Sequence, residues 1–233
     1  TANAVSYIGA KPVFADIDPR TCCLDPRSDN KKITKKTKAI LLVDINGHPS
    51  DIFEFKKISK KYDLKLIIDA AQSIGAKYKK EKKFAGTIGD IGGYSLNVHK
   101  HINTGEGGVI VTNNDQVAKK IALIRNHGEN MTKISPSNQH FFGYNFRIGE
   151  IEDAIGIAQI KKLPKILKKI PLDAQILSKG LRNLKGLQVP FIDENCTHAF
   201  YSYPLAINLN ELKVTRKVLV HLLRKEGVPI GEG

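Results

Sequence analysis

Short apolar runs alternate with amphipathic stretches along the first half of the chain. Runs rich in β-branched residues predict strands at residues 12–17, 37–45, 64–70, 89–96 and 108–112. Between them, apolar residues recurring at helical spacing predict helices at residues 1–8, 49–62 and 115–126. Strands that are apolar on both faces and separated by helices favour an α/β fold, in which helices cover both sides of a mostly parallel sheet.

The pattern changes after Arg147. An apolar stripe over residues 148–163 predicts a long helix, which Pro164 should kink or end. The elements predicted beyond it are a helix at residues 173–184, strands at residues 187–190 and 199–207, and a helix at residues 214–226. We therefore expect a large domain at residues 1–163 and a small α+β C-terminal domain at residues 164–233, hinged on the long helix.

Composition narrows the class of protein. Hydrophobic residues make up 41% of the chain and charged residues 26%, as in globular proteins, and no apolar run approaches the length of a membrane span. The formal net charge of +14 suits an anionic substrate. The lysines are spread over many segments, few aromatic residues lie among them and tryptophan is absent, so nucleic-acid binding is not favoured.

The three cysteines, Cys22, Cys23 and Cys196, do not have the spacing of metal ligands, and two of them are adjacent. An odd number of cysteines argues against a disulfide framework. We therefore expect free thiols, no metal site and a cytoplasmic location.

The candidate chemistry lies beyond the ends of two predicted strands. Lys100 follows the 89–96 strand, and Asp69 ends the 64–70 strand. Because the carboxyl ends of parallel strands meet at one edge of a sheet, the two side chains are expected to share a crevice. Together they suit pyridoxal phosphate (PLP), since the amine can form a Schiff base with its aldehyde and the carboxylate can pair with its pyridinium nitrogen. Taken singly, each also fits a plainer interpretation, a solvated lysine and a turn or capping aspartate.

Six segments, in the right order, resemble those of the DegT/DnrJ/EryC1/StrS family of PLP-dependent sugar aminotransferases. They are residues 1–17, 46–51 (NGHPSD), 69–72 (DAAQ), 95–108, 125–128 (RNHG) and 143–147 (GYNFR). The resemblance covers nearly the whole chain and implies the aspartate aminotransferase-like fold, type I of the PLP-dependent transferases. The family's first phosphate-binding segment and an aromatic residue that stacks on the ring are expected upstream of Thr1, so we expect the chain to be N-terminally incomplete.

The resemblance implies four cofactor-binding residues within the large domain. Lys100 is then the Schiff-base lysine, and Asp69 pairs with the pyridine nitrogen. Gln72 contacts the ring hydroxyl or packs against the ring, and Ser95 hydrogen-bonds the phosphate.

The 143–147 segment implies a partner subunit. Asn145 matches the family's asparagine that reaches the phosphate in the other subunit, so a homodimer with a shared active site is expected. Arg147 either binds substrate or braces the same loop, and the plainer interpretation is an ion pair at the start of the long helix. The resemblance assigns no firm role to His99 or His101.

The implied reaction moves an amino group from glutamate to a keto-sugar attached to a nucleotide diphosphate, for surface polysaccharide or amino-sugar biosynthesis. Some family members have histidine at the lysine position and are sugar dehydratases, so Lys100 favours transamination. A dehydratase, a non-catalytic family member and a basic nucleic-acid binder remain alternatives.

Overall fold

The computed structural model describes residues 1–129 and 142–232. The helices are α1 (Ala2–Tyr7), α2 (Pro26–Lys32), α3 (Ile52–Tyr62), α4 (Asp115–Arg125), α5 (Glu150–Ile160), α6 (Leu163–Leu181), α7 (Leu209–Leu212) and α8 (Arg216–Lys225), with a 3₁₀ turn at Ile45–Gly47. The strands are β1 (Ala39–Val43), β2 (Lys65–Asp69), β3 (Lys77–Tyr78), β4 (Lys83–Phe84), β5 (Ile91–Ser95), β6 (Gly108–Val111), β7 (Leu187–Gln188) and β8 (Ala206–Ile207). No helix among these residues is both long and apolar enough to cross a membrane.

The main sheet has the strand order β1-β2-β5-β6. β2 lies between β1 and β5 and is parallel to both, whereas β6 runs antiparallel to β5 at the edge. The predicted mostly parallel sheet is therefore confirmed. The antiparallel edge has a simple cause: the segment between Ser95 and Gly108 contains no helix that could carry a parallel crossover.

The predicted helix at residues 49–62 is confirmed as α3. Its first turn is capped by Asp51, whose carboxylate accepts a hydrogen bond from the backbone N–H of Glu54 at 3.2 Å. Ile52 and Phe55 are fully buried, and they join Leu42 and other strand residues in the core. Burial of this apolar face fixes the helix on the sheet.

The strand predicted at residues 12–17 is wrong. This segment makes a single antiparallel bridge, from Ile17 to Leu24, and Phe14 is 75% exposed. An apolar run alone does not make a strand when no neighbouring strand supplies hydrogen bonds along its length.

The strand predicted at residues 199–207 is present only as β8. Phe200 has a φ of 53°, which breaks the extended backbone. The backbone N–H groups of Ala199 and Ser202 donate to the carbonyls of Gly47 and Asn46, at 2.9 and 3.3 Å, instead of to a neighbouring strand.

The predicted long helix is divided in two. α5 ends at Ile160 and α6 starts at Leu163, so Pro164 lies in the first turn of α6, where a missing N–H is tolerated. The helix predicted to begin at residue 173 is the second half of α6, which continues through Pro171.

One segment beyond α6 packs into the core of the large sheet. Cys196 and Ala199 are 3% and 1% exposed and belong to the same core as Leu42. The proposed boundary between residues 163 and 164 coincides with the start of α6. The division into two domains stays a prediction.

Candidate active site

Three strands end at one edge of the main sheet. Val43 of β1 lies beside Asp69 of β2, and Asp69 lies beside Gly93 of β5. β5 continues to Ser95, so Asp69 and Ser95 lie at the carboxyl edge where parallel sheets bind their ligands.

The carboxylate of Asp69 has two hydrogen-bond donors. Oδ1 accepts the backbone N–H of Ala71 at 3.2 Å, and Oδ2 accepts the hydroxyl of Thr1. Residues paired across parallel strands share a face, and a Cβ built on the neighbouring Gly93 would meet no atom within 4 Å. Asp69 therefore borders open space on this face of the sheet.

Gln72 ties the turn after β2 to the turn after β1. Its Oε1 accepts the backbone N–H of Asn46 at 2.6 Å, which leaves its amide nitrogen for other partners. Asn46 has a φ of 59°, a left-handed conformation that asparagine adopts more easily than most residues.

Asn97 organises the loop that carries Lys100. Its backbone N–H donates to the hydroxyl of Ser95 at 3.2 Å, and its own carbonyl accepts the N–H of Lys100 at 2.9 Å. The side chain accepts the N–H of His99 at 3.1 Å and donates to Glu106 at 2.8 Å. The bonds from Asn97 thus connect Ser95, the start of the lysine loop and its glycine-rich end.

Lys100 and His101 contact the segment after Cys196. The Nζ atom of Lys100 lies 4.3 Å from the centroid of the Tyr201 ring. His101 donates from Nε2 to the carbonyl of Ala199 at 2.9 Å, and burial is the main cause that lowers the pKa of its imidazole. In this tautomer Nδ1 of His101 is an acceptor, buried and without a partner among the described residues.

Gly47 connects the two halves of the site. Its carbonyl accepts the N–H of Ala199 at 2.9 Å, and a Cβ at this position would come within 2.8 Å of the backbone nitrogen of Phe200. With a φ of 98°, the position requires glycine. Contacts therefore run without interruption from Gln72, through residues 46–47 and Ala199, to His101.

Asp44 is a further acidic residue at this edge, which the sequence interpretation missed. It is fully buried, and its carboxylate accepts the N–H of Ser50 and the hydroxyl of Ser73, both at 2.8 Å. Burial raises the pKa of Asp44 to about 6, and the negative charge of Asp69 adds to the effect. Like Asp69, Asp44 comes directly after a run of apolar strand residues, and that shared pattern was the available signal.

We expect Asp44→Asn to weaken the pH dependence of stability. Between its ordinary pKa of 3.8 and about 6, Asp44 holds a proton in the folded protein that the unfolded chain has released. The free energy of unfolding should therefore fall as the pH rises through this interval, by up to about 3 kcal/mol from this residue. Urea unfolding of both proteins at about pH 4 and about pH 7 measures the difference.

Asp63→Asn is the matched control, since Asp63 is exposed at the end of α3 and has a φ of 51°, which asparagine tolerates. It should leave the pH dependence unchanged. If Asp44→Asn also leaves it unchanged, Asp44 is ionised in the folded protein and the assignment is wrong.

Asn145 and Arg147 lie against the end of α4. The backbone of Asn145 forms a bridge with Asn126, and Nη1 of Arg147 donates to Oδ1 of Asn126 at 2.7 Å. This bond is a bracing contact of the kind considered for Arg147. Within the described residues, neither side chain hydrogen-bonds with Asp69, Gln72, Ser95 or Lys100.

A cavity of about 490 Å³ lies elsewhere, between the loop after β1, the β3–β4 hairpin and the segment around Cys196. None of the sequence-predicted site residues lines it. Cys23 and Cys196 do, and burial raises the pKa of each thiol to about 12, which keeps both neutral. In the part of the chain that the structure describes, no three potential ligands gather as a metal site would require.

The sequence matches a family of known proteins. The family model of the DegT/DnrJ/EryC1/StrS aminotransferases matches residues 1–231. GDP-perosamine synthase of Caulobacter vibrioides is 38% identical over 233 residues, covering 98% of this chain and 60% of the relative. The chain spans about three-fifths of the length of the curated relatives it matches.

The fold also matches those of solved structures. An aminotransferase from Psychrobacter cryohalolentis superposes with a TM-score of 0.90 at 32% identity, over 97% of this chain and 62% of that one. An E. coli GDP-4-keto-6-deoxy-D-mannose-3-dehydratase, determined with bound hydrated PLP, gives 0.84 at 31% identity, over 96% and 60%. The chain has the fold of PLP-dependent aminotransferases and belongs to the DegT/DnrJ/EryC1/StrS aminotransferase family.

Proposed function

We propose that the protein is a PLP-dependent aminotransferase that moves an amino group from glutamate to a nucleotide-linked keto-sugar. The observation that carries this proposal is that a carboxylate and a lysine amine are carried by elements that end at the same edge of the main sheet. The carboxylate of Asp69 lies at the end of β2, and the loop after β5 carries the amine of Lys100. A named relative, GDP-perosamine synthase, supports a nucleotide-sugar substrate.

The residues at this edge fit the chemistry of PLP. A carboxylate suits a protonated pyridine nitrogen, a primary amine suits an aldehyde, and the hydroxyl of Ser95 suits a phosphate. The open face beside Gly93 leaves room for a planar ring next to Asp69. Within the described residues the amide nitrogen of Gln72 has no hydrogen-bond partner, so it can donate to a ring substituent.

PLP, when bound, supplies an aldehyde and a ring that accepts electrons from the substrate carbon. Asp69, as an anion, holds a proton on the ring nitrogen and so maintains that capacity. With PLP bound, Lys100 would anchor the cofactor covalently, and its free amine would be the group that accepts the proton of the substrate carbon and gives it back at the end of the transfer.

Charge and cysteine chemistry support the proposed substrate class and location. A formal net charge of +14 favours anions such as nucleotide diphosphates, and the described cysteines are all free thiols, as in the cytoplasm. The amino-sugar product would serve surface polysaccharide or amino-sugar biosynthesis.

Turnover by the full-length protein tests the proposed function. The protein, PLP and glutamate are incubated with a panel of nucleotide keto-sugars, and 2-oxoglutarate and aminated sugar are quantified. Equal amounts of both products would support the proposal. Absence of both across the panel, in a protein that binds PLP, would contradict it.

A sugar dehydratase is the second candidate, because one structural neighbour has that activity. The lysine at position 100 argues against it, since an amine that stays attached to the cofactor between cycles suits amino-group transfer. Release of ammonia without consumption of glutamate would identify the dehydratase.

We expect the active site to be shared between two subunits, with Asn145 acting in the partner's site. Lys100→Ala and Asn145→Ala proteins should each be impaired. After subunit exchange, about half of the dimers are hybrids, and each hybrid has one intact site and one doubly defective site. Activity should then recover to roughly a quarter of the wild-type value.

Native mass spectrometry of the mixture establishes that exchange has occurred. The backbone bridge between Asn145 and Asn126 does not depend on the side chain, so Asn145→Ala should leave the local fold intact. Confirmed exchange without recovery would mean that Asn145 acts in its own subunit or not at all.

A further inference from the structure

The amine of Lys100 rests against an aromatic ring. Nζ lies 4.3 Å from the centroid of Tyr201, within the range of a cation–π contact. Lys100 is half-buried, and the described residues offer it no salt bridge. The face of Tyr201 is therefore the one electrostatic contact that the described part of the chain gives this ammonium group.

The backbone holds Tyr201 in this position at some energetic cost. Phe200 adopts a φ of 53°, a left-handed conformation that is strained for a bulky residue. The cost is offset by packing, since Phe200 is 6% exposed and stacks on His198 with ring centroids 4.0 Å apart. The left-handed turn directs the chain so that Tyr201 lies under Lys100.

Hydrogen bonds made by the residues on both sides of Tyr201 also hold its ring near Lys100. Ala199 accepts from the ring of His101, the residue after Lys100, and Ser202 donates to the side chain of Asn46 at 2.5 Å. Tyr201 is thus joined to the lysine loop through Ala199 and to the turn after β1 through Ser202. Independent contacts set the position of the ring relative to Lys100.

We propose that Tyr201 is a positioning residue for Lys100, whose ring face holds the end of the lysine side chain when the lysine is not covalently engaged. The inference rests on the proposed role of Lys100 as anchor and base. In that role the lysine is released and must return in every cycle. A long, flexible side chain loses conformational freedom each time it returns to one position. A ring that holds Nζ close to its working position reduces this loss.

The reactivity of Lys100 in the cofactor-free, full-length protein tests the proposal. A limiting amount of an amine-reactive anhydride is added, and mass spectrometry gives the labelling rate of each lysine. Tyr201→Phe keeps an aromatic face and should label Lys100 at about the wild-type rate. Tyr201→Leu removes the face and should increase the rate about two- to fivefold, because the amine is no longer held against the ring and is more accessible to the reagent.

Two controls separate the ring face from a loss of packing. Tyr203→Leu removes a neighbouring tyrosine that bonds to Ser178 and should leave Lys100 labelling unchanged. Pentafluorophenylalanine at position 201 keeps the shape of phenylalanine but reverses the charge distribution of the ring. It should therefore increase the labelling of Lys100 as Tyr201→Leu does, and it tests the ring face even if Tyr201→Leu folds poorly. Lys77, which lies 4.6 Å from the ring of Phe84, should not change in any variant.

Unchanged labelling of Lys100 in both Tyr201→Leu and the fluorinated variant would overturn the proposal. An equal increase in Tyr201→Phe would also overturn it, since the hydroxyl and not the ring face would then be responsible. The assay contains no cofactor, so its outcome is separate from that of the proposed function, which fails if the wild-type protein does not attach PLP.

Discussion

Lys100→Arg should reduce transamination by a factor on the order of 10⁴ or more. Arginine keeps the positive charge and much of the length of lysine, but its guanidinium stays protonated in proteins. It can therefore neither attach to an aldehyde nor remove a proton from a substrate carbon. Both tasks assigned to Lys100 fail together, so this is the largest effect we expect. The initial rate of 2-oxoglutarate formation measures it.

Lys77→Arg is the matched control for Lys100→Arg. Its amine also lies over an aromatic ring, that of Phe84 on the β3–β4 hairpin, away from the carboxyl edge of the sheet. Its activity should stay within about twofold of wild type, as for surface substitutions in general. If Lys100→Arg retained more than about a tenth of the wild-type rate, another group would be the base.

Asp69→Asn should lower turnover about 100- to 1,000-fold, a loss comparable to removal of one preorganised electrostatic contact. Asparagine retains an oxygen that can accept the N–H of Ala71, so the turn after β2 should persist. It carries no charge, however, and does not hold the ring nitrogen protonated. The rate constant under saturating substrates reports the loss, and far-UV circular dichroism reports whether the fold is intact.

Asp90→Asn provides the comparison in the same sheet. The carboxylate of Asp90 accepts the N–H of Leu66 at 2.8 Å, at the end of the strands opposite Asp69, and asparagine can accept the same bond. Activity near the wild-type value is expected for this variant. Turnover of Asp69→Asn close to wild type would show that a different group supports the ring nitrogen.

The sheet and its carboxyl edge follow from the sequence because their signals are local. Runs such as AILLV and KLIID are apolar, strand-sized and separated by an amphipathic helix, and both form strands. An acidic residue at the end of such a strand must then lie at the ligand-binding edge. That reasoning applies to Asp69 and applies equally to Asp44, which differs only in being buried under the turn that follows it.

The contacts around Lys100 could not be predicted from the sequence. The segment that carries Tyr201 is rich in aromatic residues and has the composition of a strand, yet its conformation is set by a left-handed Phe200 and by bonds to Gly47 and Asn46. These partners lie about 150 residues away in the chain, and no periodicity reports such contacts. The same limitation applies to residues 12–17, which form a bridge from Ile17 to Leu24 but no strand, because strand formation depends on neighbouring segments and not on the segment's own pattern.

The most direct test of the account is to identify the lysine that holds PLP. The full-length protein is incubated with PLP and reduced with borohydride, and the phosphopyridoxyl group is mapped by peptide mass spectrometry in wild type and in Lys100→Arg. We expect the label on Lys100 in the wild-type protein and no specific label in the variant. A label on any other lysine, or a label that persists at the same site in Lys100→Arg, would contradict the account.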